Sequence, residues 1–186
     1  MKTTLLSLGF AASVAFALPS SQGGSAPEQY RVTHNPVYGN SSQRISDLAC
    51  GGGENGIDTK WGYQTLGQIP NFDDVGAAHV SSYNSPECGG CWYLEYKGNS
   101  LYVTAVDNAA GENLFVISDG AIRSLTTVNG VNEGIEKGTV DLDSAYEVDH
   151  SYCHLPDPTG NTRTGTDKKS PSTGKKSPTS SNNYSV

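Results

Sequence analysis

The chain has 186 residues, 35% of them hydrophobic and 17% charged, with 22 glycines, 10 tyrosines and one methionine. This composition suits one turn-rich β domain with appendages, and it excludes a helical bundle or coiled coil, which needs far more Ala, Leu, Glu and Lys. A formal net charge of −7 argues against nucleic acid as a partner.

Met1-Lys2 opens a short positive region, residues 5–17 form an apolar run, and Ala15-Phe16-Ala17 has the small-x-small pattern of a cleavage site. Residues 1–17 therefore read as a secretory signal peptide, too short and wrongly flanked for a membrane span. No later apolar run approaches spanning length. Residues 18–29 hold Pro, Gly and Ser without periodicity and read as a spacer or propeptide.

A first strand is expected within residues 31–38, carrying Val32 and Val37 and broken at Pro36. Residues 76–80 are a further candidate strand. Trp92-Tyr93-Leu94-Glu95-Tyr96, the turn Lys97-Gly98-Asn99 and the β-branched and aromatic run over 101–106 predict a hairpin. Leu114-Phe115-Val116-Ile117 is a buried strand. Ser118 caps a short helix over 119–125 that turns Ile122 and Leu125 inward, and Asn129-Gly130 closes the following loop. Residues 139–142 and 146–148 complete the set. Many short strands with one clear helix predict a small β-barrel.

Residues 30–155 carry six Lys and Arg against sixteen Asp and Glu, a net of −10, whereas residues 156–186 carry five basic side chains against two acidic ones. The body is acidic and the tail is basic. The tail is Ser, Thr, Pro, Gly, Lys and Asn, with Tyr184 as its one aromatic, and cannot bury enough apolar surface to offset its ordering entropy. We expect it to be disordered. Asn40-Ser41-Ser42 and Asn183-Tyr184-Ser185 are candidate N-glycosylation sites, at Asn40 and Asn183.

Four cysteines remain after the leader: Cys50, Cys88, Cys91 and Cys153. An even number in an exported chain implies disulfides, with three connectivities open. The Cys88-Gly89-Gly90-Cys91 stretch also permits a redox pair, or half a zinc site with Cys153, His150 and His154, and export disfavours both. Splitting the pair, Cys50 with one member and Cys153 with the other, closes loops of about 40 to 65 residues, worth ~4 kcal/mol each in the chain-entropy model.

Asp107 ends an apolar strand, so its carboxylate belongs at a barrel rim; the plain alternative is a turn residue, since Asp-Asn is ordinary turn chemistry. A glycosidase needs two carboxyl groups at a set separation, and Asp73, Asp74, Asp141 and Asp143 sit in no recognisable catalytic pattern. Trp92 reads as a core residue packed on a disulfide. Trp61 and Tyr63, in the polar stretch 59–64, read as exposed. Tyr38 and Tyr83, beside Gly39 and Asn84, read as loop aromatics able to stack on sugar rings. Gly51 to Gly56 formally matches a dinucleotide-binding pattern, but it follows a cysteine instead of a buried strand and no convincing helix succeeds it.

Val32-Thr33-His34-Asn35-Pro36-Val37-Tyr38, then Cys50 with Asn55-Gly56-Ile57, resembles the opening of the cerato-platanins. Thr65-Leu66-Gly67-Gln68-Ile69-Pro70-Asn71-Phe72 and Tyr83-Asn84-Ser85-Pro86-Glu87-Cys88-Gly89-Gly90-Cys91-Trp92 carry the resemblance on, and Tyr102-Val103-Thr104-Ala105-Val106-Asp107 and Cys153 complete it, over residues 30–155.

This resemblance implies a mainly β fold with one or two short helices: a six-stranded double-psi β-barrel stapled by disulfides Cys50–Cys88 and Cys91–Cys153. It implies secretion from a filamentous fungus. We expect a monomer without cofactor, and the scattered histidines His34, His79, His150 and His154 form no clear metal pattern. The resemblance also implies non-catalytic binding of chitin-type N-acetylglucosamine oligomers or another cell-wall polysaccharide, with expansin-like wall loosening and elicitation of plant defences. Asp107 matches the groove-lining position of the family. The expected glycan contacts are Asp107, Asn84, Tyr83, Tyr38, Trp61 and Tyr63. The alternatives are a weak endoglycosidase using Asp107 and an effector bound to a host surface protein.

Overall fold

The structure is a computed structural model that describes residues 29–158. The leader expected over 1–17, the spacer apart from Gln29, most of the basic tail and Asn183 lie outside the described residues.

Among the described residues there are nine strands and three short α-helices. In chain order they are β1 (Arg31–His34), α1 (Ile57–Trp61), β2 (Val75–Ala78), β3 (Cys91–Tyr96), β4 (Asn99–Asn108) and β5 (Leu114–Ile117), followed by α2 (Asp119–Thr126), β6 (Thr127–Val128), β7 (Val131–Asn132), α3 (Glu133–Lys137), β8 (Thr139–Asp141) and β9 (Ser144–Val148). Seven of the strands form one sheet in the order β8-β1-β5-β2-β4-β3-β9. These are the seven candidate strands read from the sequence.

The sheet closes on itself. Its two outer members, β8 and β9, are consecutive pieces of chain with only Leu142 and Asp143 between them. At that bend the Leu142 N–H donates to Tyr30 O at 2.9 Å, on the β1 side, and the next N–H, Asp143, donates to Glu95 O at 2.9 Å, on the β3 side. Counted as one bent strand, β8–β9 is the sixth member of a six-stranded barrel, paired with β1 through its first half and with β3 through its second. Two parallel pairs interlock at its centre: β1 with β5 and β2 with β4, with the antiparallel pair β2–β5 between them. This is the double-psi arrangement.

The helices exceed the one or two expected. Ser118 caps α2 as the sequence indicates, accepting the Ala121 N–H at 2.9 Å, and Ile122 and Leu125 are fully buried. Neither α1 nor α3 was placed from the sequence: each is only five residues long, α3 contains Gly134, and α1 begins directly after Gly56, where no convincing helix was expected; such short segments carry little helical signal. Gly134 lies where a Cβ would come within 2.6 Å of Ile122, so α3 packs directly on α2. Asn129-Gly130, both at positive φ, form the two-residue turn of a β6–β7 hairpin instead of a plain loop.

Apolar side chains from the strands and from the β8–β9 bend fill the interior: Val32, Leu94, Val103, Ala105, Phe115, Ile117 and Leu142 are all buried. Trp92 is buried as expected and meets Phe115 edge-on at 5.2 Å, with Tyr30 tilted against both rings. All four cysteines are buried and paired, Cys50 with Cys88 and Cys91 with Cys153. The redox and zinc alternatives for Cys88-Gly89-Gly90-Cys91 are thereby overturned, since neither disulfide joins Cys88 to Cys91 and no thiolate remains to ligate a metal. Among the described residues no helix is long and apolar enough to cross a membrane.

Candidate functional site

The C-terminal end of β4 organises one rim of the barrel. Asp107 stands there with its carboxylate turned to neighbouring loops. Its Oδ1 accepts the Ala49 N–H and the Asn108 N–H, both at 2.9 Å, and its Oδ2 accepts the Tyr38 hydroxyl at 3.0 Å. A carboxylate has about four acceptor positions, so one, on Oδ2, is left for an outside donor. Asp107 therefore joins the turn after β1 and the loop before Cys50 to the strand that carries it.

Tyr38 is a correction to the sequence reading. It is 6% exposed, not a loop aromatic open to ligand. It lies in the short 3-10 turn Pro36–Gly39, which Asn35 caps by accepting the Val37 N–H at 3.0 Å and which turns the ring under the rim. Burial first, and then the adjacent Asp107 carboxylate, pushes the Tyr38 phenol well above its ordinary pKa. It is a neutral donor throughout the physiological range.

Next to this pair lie two loops fastened to each other. The disulfide Cys50–Cys88 joins their bases. Asn84 Oδ1 accepts the Asn55 N–H at 2.8 Å, and Asn55 Nδ2 donates to Asn84 O at 3.0 Å. Gly53 makes the approach possible: its φ is +76°, and a Cβ there would stand 2.5 Å from the Asn84 side chain. Asn84 itself takes the left-handed φ of 60° that asparagine tolerates. Tyr83, beside it, is 62% exposed with its hydroxyl close over Gly52. Asn108 Nδ2 donates to Val80 O and, at 3.2 Å, to Ser81 O, which ties this second loop to the end of β4.

Asp107, Tyr38, Asn84 and Tyr83 thus share one rim. Trp61 and Tyr63 are half-buried instead of exposed. Trp61 lies over Gly89, where a Cβ would come within 2.4 Å of the indole, and its Nε1 donates to Pro156 O at 2.8 Å. His150 meets it edge-on at 6.0 Å. The chain beyond Cys153 folds back over this indole, a long-range contact that the polar composition of residues 59–64 could not reveal. Sequence reasoning also missed Asn55 and Asn108. Their one signal was position, Asn55 in the glycine-rich turn and Asn108 directly after the rim aspartate. Asn40 is exposed, and its Oδ1 accepts the Ser42 N–H at 3.1 Å.

At the other end of the β3–β4 hairpin a depression of about 350 Å³ is lined by Tyr96, Lys97, Lys137, Val140 and Asp143 among others. Both lysines bind Glu133, Lys97 at 2.6 Å, and Tyr96 donates to the same carboxylate at 2.9 Å. These bonds draw Glu133 down to a pKa of about 2, Lys137 contributing most, then Lys97, then Tyr96. Among the described residues no group of three or more His, Cys, Asp or Glu is placed to hold a metal ion.

The molecule is a disulfide-stapled double-psi β-barrel with a polar, aromatic-bearing rim. The family model for cerato-platanin matches residues 30–155, and the chain belongs to the cerato-platanin family. It is 34% identical over 151 residues to Allergen Asp f 15 of Aspergillus fumigatus, which covers 81% of this chain and 93% of that protein. Among solved structures, the crystal structure of cerato-platanin 5 from M. perniciosa is 37% identical with a TM-score of 0.61, covering 69% of this chain and 94% of that one. The solution structure of the fungal elicitor cerato-platanin is 28% identical with a TM-score of 0.55, covering 66% and 95%.

Proposed function

We propose that this protein is exported and binds chitin-type N-acetylglucosamine oligomers, or a related cell-wall glycan, on the rim around Asp107 without cleaving them. The observation that carries the reading is Tyr83. Its ring is 62% exposed and stands beside the amide groups of Asn84 and Asn55, which two hydrogen bonds and a disulfide hold in place. An open aromatic face flanked by fixed amides suits a sugar, whose C–H face stacks while its hydroxyl and acetamido groups exchange hydrogen bonds. The open acceptor position on Asp107 Oδ2 adds one charge-assisted bond.

The internal bonding of the same carboxylate supports the reading of binding without hydrolysis. A general acid or nucleophile needs oxygens directed at substrate. Those of Asp107 accept three internal hydrogen bonds and brace the rim. Wall loosening would then consist of competition for interchain hydrogen bonds, with no covalent bond broken. Elicitor activity, which the name of one solved relative states for that protein, is proposed here as a consequence of wall binding.

The test is incubation of the mature protein with N-acetylglucosamine oligomers and with insoluble chitin and cellulose. Retention on glycan without new reducing ends is expected. New reducing ends would make it the glycosidase. Neither, with defence responses retained in plant tissue, would make its target a host protein.

A further inference from the structure

Four tyrosines meet on the outer wall of the barrel, away from the rim. Tyr93 of β3 is directly opposite Tyr102 of β4 and Tyr146 of β9 in the strand register. Their ring centroids are 5.6 Å and 4.9 Å apart, the Tyr93–Tyr146 pair stacked. Tyr152, from the 3-10 turn His150–Cys153, closes on Tyr102 at 5.0 Å. The two end members remain open, Tyr146 at 51% and Tyr152 at 53% exposure. Among the described residues they are two of the four large hydrophobic side chains that are exposed, with Tyr83 and Val131.

Two residues further along each strand, and so on the same outward face, runs a polar row. Glu95 is opposite Ser100 on one side and Ser144 on the other, and Tyr93 donates its hydroxyl to Glu95 Oε2 at 3.3 Å. Among the described residues Glu95 makes no ion pair, since the three that exist are His34–Asp119, Lys97–Glu133 and Lys137–Glu133. The face thus combines exposed phenol rings, two serines and an uncompensated carboxylate, on a body of net charge −10 over residues 30–155.

We infer that this outer face of β4, β3 and β9 is a second docking surface, for a polysaccharide carrying free amino groups, a glucosamine polymer. Each part of the face has a counterpart in that ligand. Ammonium groups are drawn to ring faces and to Glu95. Sugar C–H faces pack on the open sides of Tyr146 and Tyr152, and the serines exchange bonds with hydroxyls. The wall of a closed barrel is broad and carries these groups in rows, as an extended chain of rings requires. An anionic polymer is excluded by charge. This surface is independent of the rim, and each stands if the other fails.

The test is calorimetric titration of the whole mature protein with a glucosamine hexamer and, separately, with its fully N-acetylated counterpart. The double variant Tyr146→Ala/Tyr152→Ala should bind the glucosamine hexamer about 3- to 30-fold more weakly, with affinity for the acetylated hexamer unchanged. Glu95→Gln should weaken the glucosamine hexamer alone, and Tyr146→Phe/Tyr152→Phe should keep most of the affinity. Should the alanine pair fail to fold, Tyr152→Ala alone and Glu95→Gln decide. Parent-like affinity in those variants, no binding by the parent, or equal competition from a lysine oligomer would overturn the inference, the last by reducing the surface to a binder of any ammonium group. Loss of acetylated-hexamer binding by the parent, with glucosamine binding intact, would count against the rim alone.

Discussion

The Tyr38 hydroxyl donates to Asp107 Oδ2 at 3.0 Å from a position that is almost wholly buried. The residue expected to present a ring to ligand instead braces the carboxylate expected to receive it. Tyr38→Phe removes a hydrogen bond to a charged acceptor and should cost about 1.5–3 kcal/mol in urea unfolding. Asp107→Ala strands the Tyr38 hydroxyl and the Ala49 N–H together and should cost about 2–4 kcal/mol, while Asp107→Asn, which keeps an acceptor, costs less. A stability change under about 0.5 kcal/mol for Asp107→Ala would return the residue to an ordinary exposed turn.

The two disulfides have separable roles. They span 38 and 62 residues, so each contributes ~4 kcal/mol by loop closure. Cys50–Cys88 also fixes the two rim loops, whereas Cys91–Cys153 ties the start of β3 to the closing 3-10 turn. Replacing either pair by serine should lower the melting temperature by a similar amount. Only loss of Cys50–Cys88 should also speed hydrogen exchange at Gly53, Asn55 and Asn84 beyond the global change.

Two carboxyl groups set opposite slopes in stability against pH. Glu133, held near a pKa of 2 chiefly by Lys137 and Lys97, contributes stability that is complete above the ordinary carboxyl range and lost as pH falls from about 4.5 toward 2. Asp74, raised to about 6 by burial and then by Asp73, does the reverse. Its folded form holds a proton that the unfolded chain has released, so stability from this group is full below about pH 4 and lost as pH rises through 6. The slope between pH 4 and 6 should flatten in Asp74→Asn, and that between 2 and 4.5 should flatten in Glu133→Gln. Thermal melts across pH 2 to 7 check both windows, and an unchanged slope in either variant contradicts its assignment.

Strand content was legible because these strands announce themselves locally. The run from Trp92 to Val106 announces the β3–β4 hairpin, but its turn is Lys97-Gly98 alone, one residue shorter than the Lys97-Gly98-Asn99 read from the sequence, and only that shorter turn sets the register pairing Tyr93 with Tyr102. The closure at Leu142-Asp143 and the parallel pairing of β1 with β5 were not legible, since they join segments far apart in sequence. The site divides the same way. Asp107 at a rim and Tyr83 in the open follow from a strand end and a loop composition. The burial of Tyr38 and Trp61 does not, because each depends on distant partners, Asp107 for one and Gly89 with Pro156 for the other. Tyr146 and Tyr152 reach Tyr93 and Tyr102 only once the barrel has closed.

The central claim is that the rim binds N-acetylglucosamine oligomers and leaves them intact. One titration tests both halves: an N-acetylglucosamine tetramer added to the ¹⁵N-labelled mature protein, with amide shifts and the sugar's anomeric signals followed in the same sample. The account predicts saturable shifts confined to the amides near Gly52, Asn55, Tyr83, Asn84 and Asn108, with the anomeric signals constant over days. No shifts at those amides, or the growth of new reducing-end signals, would contradict it.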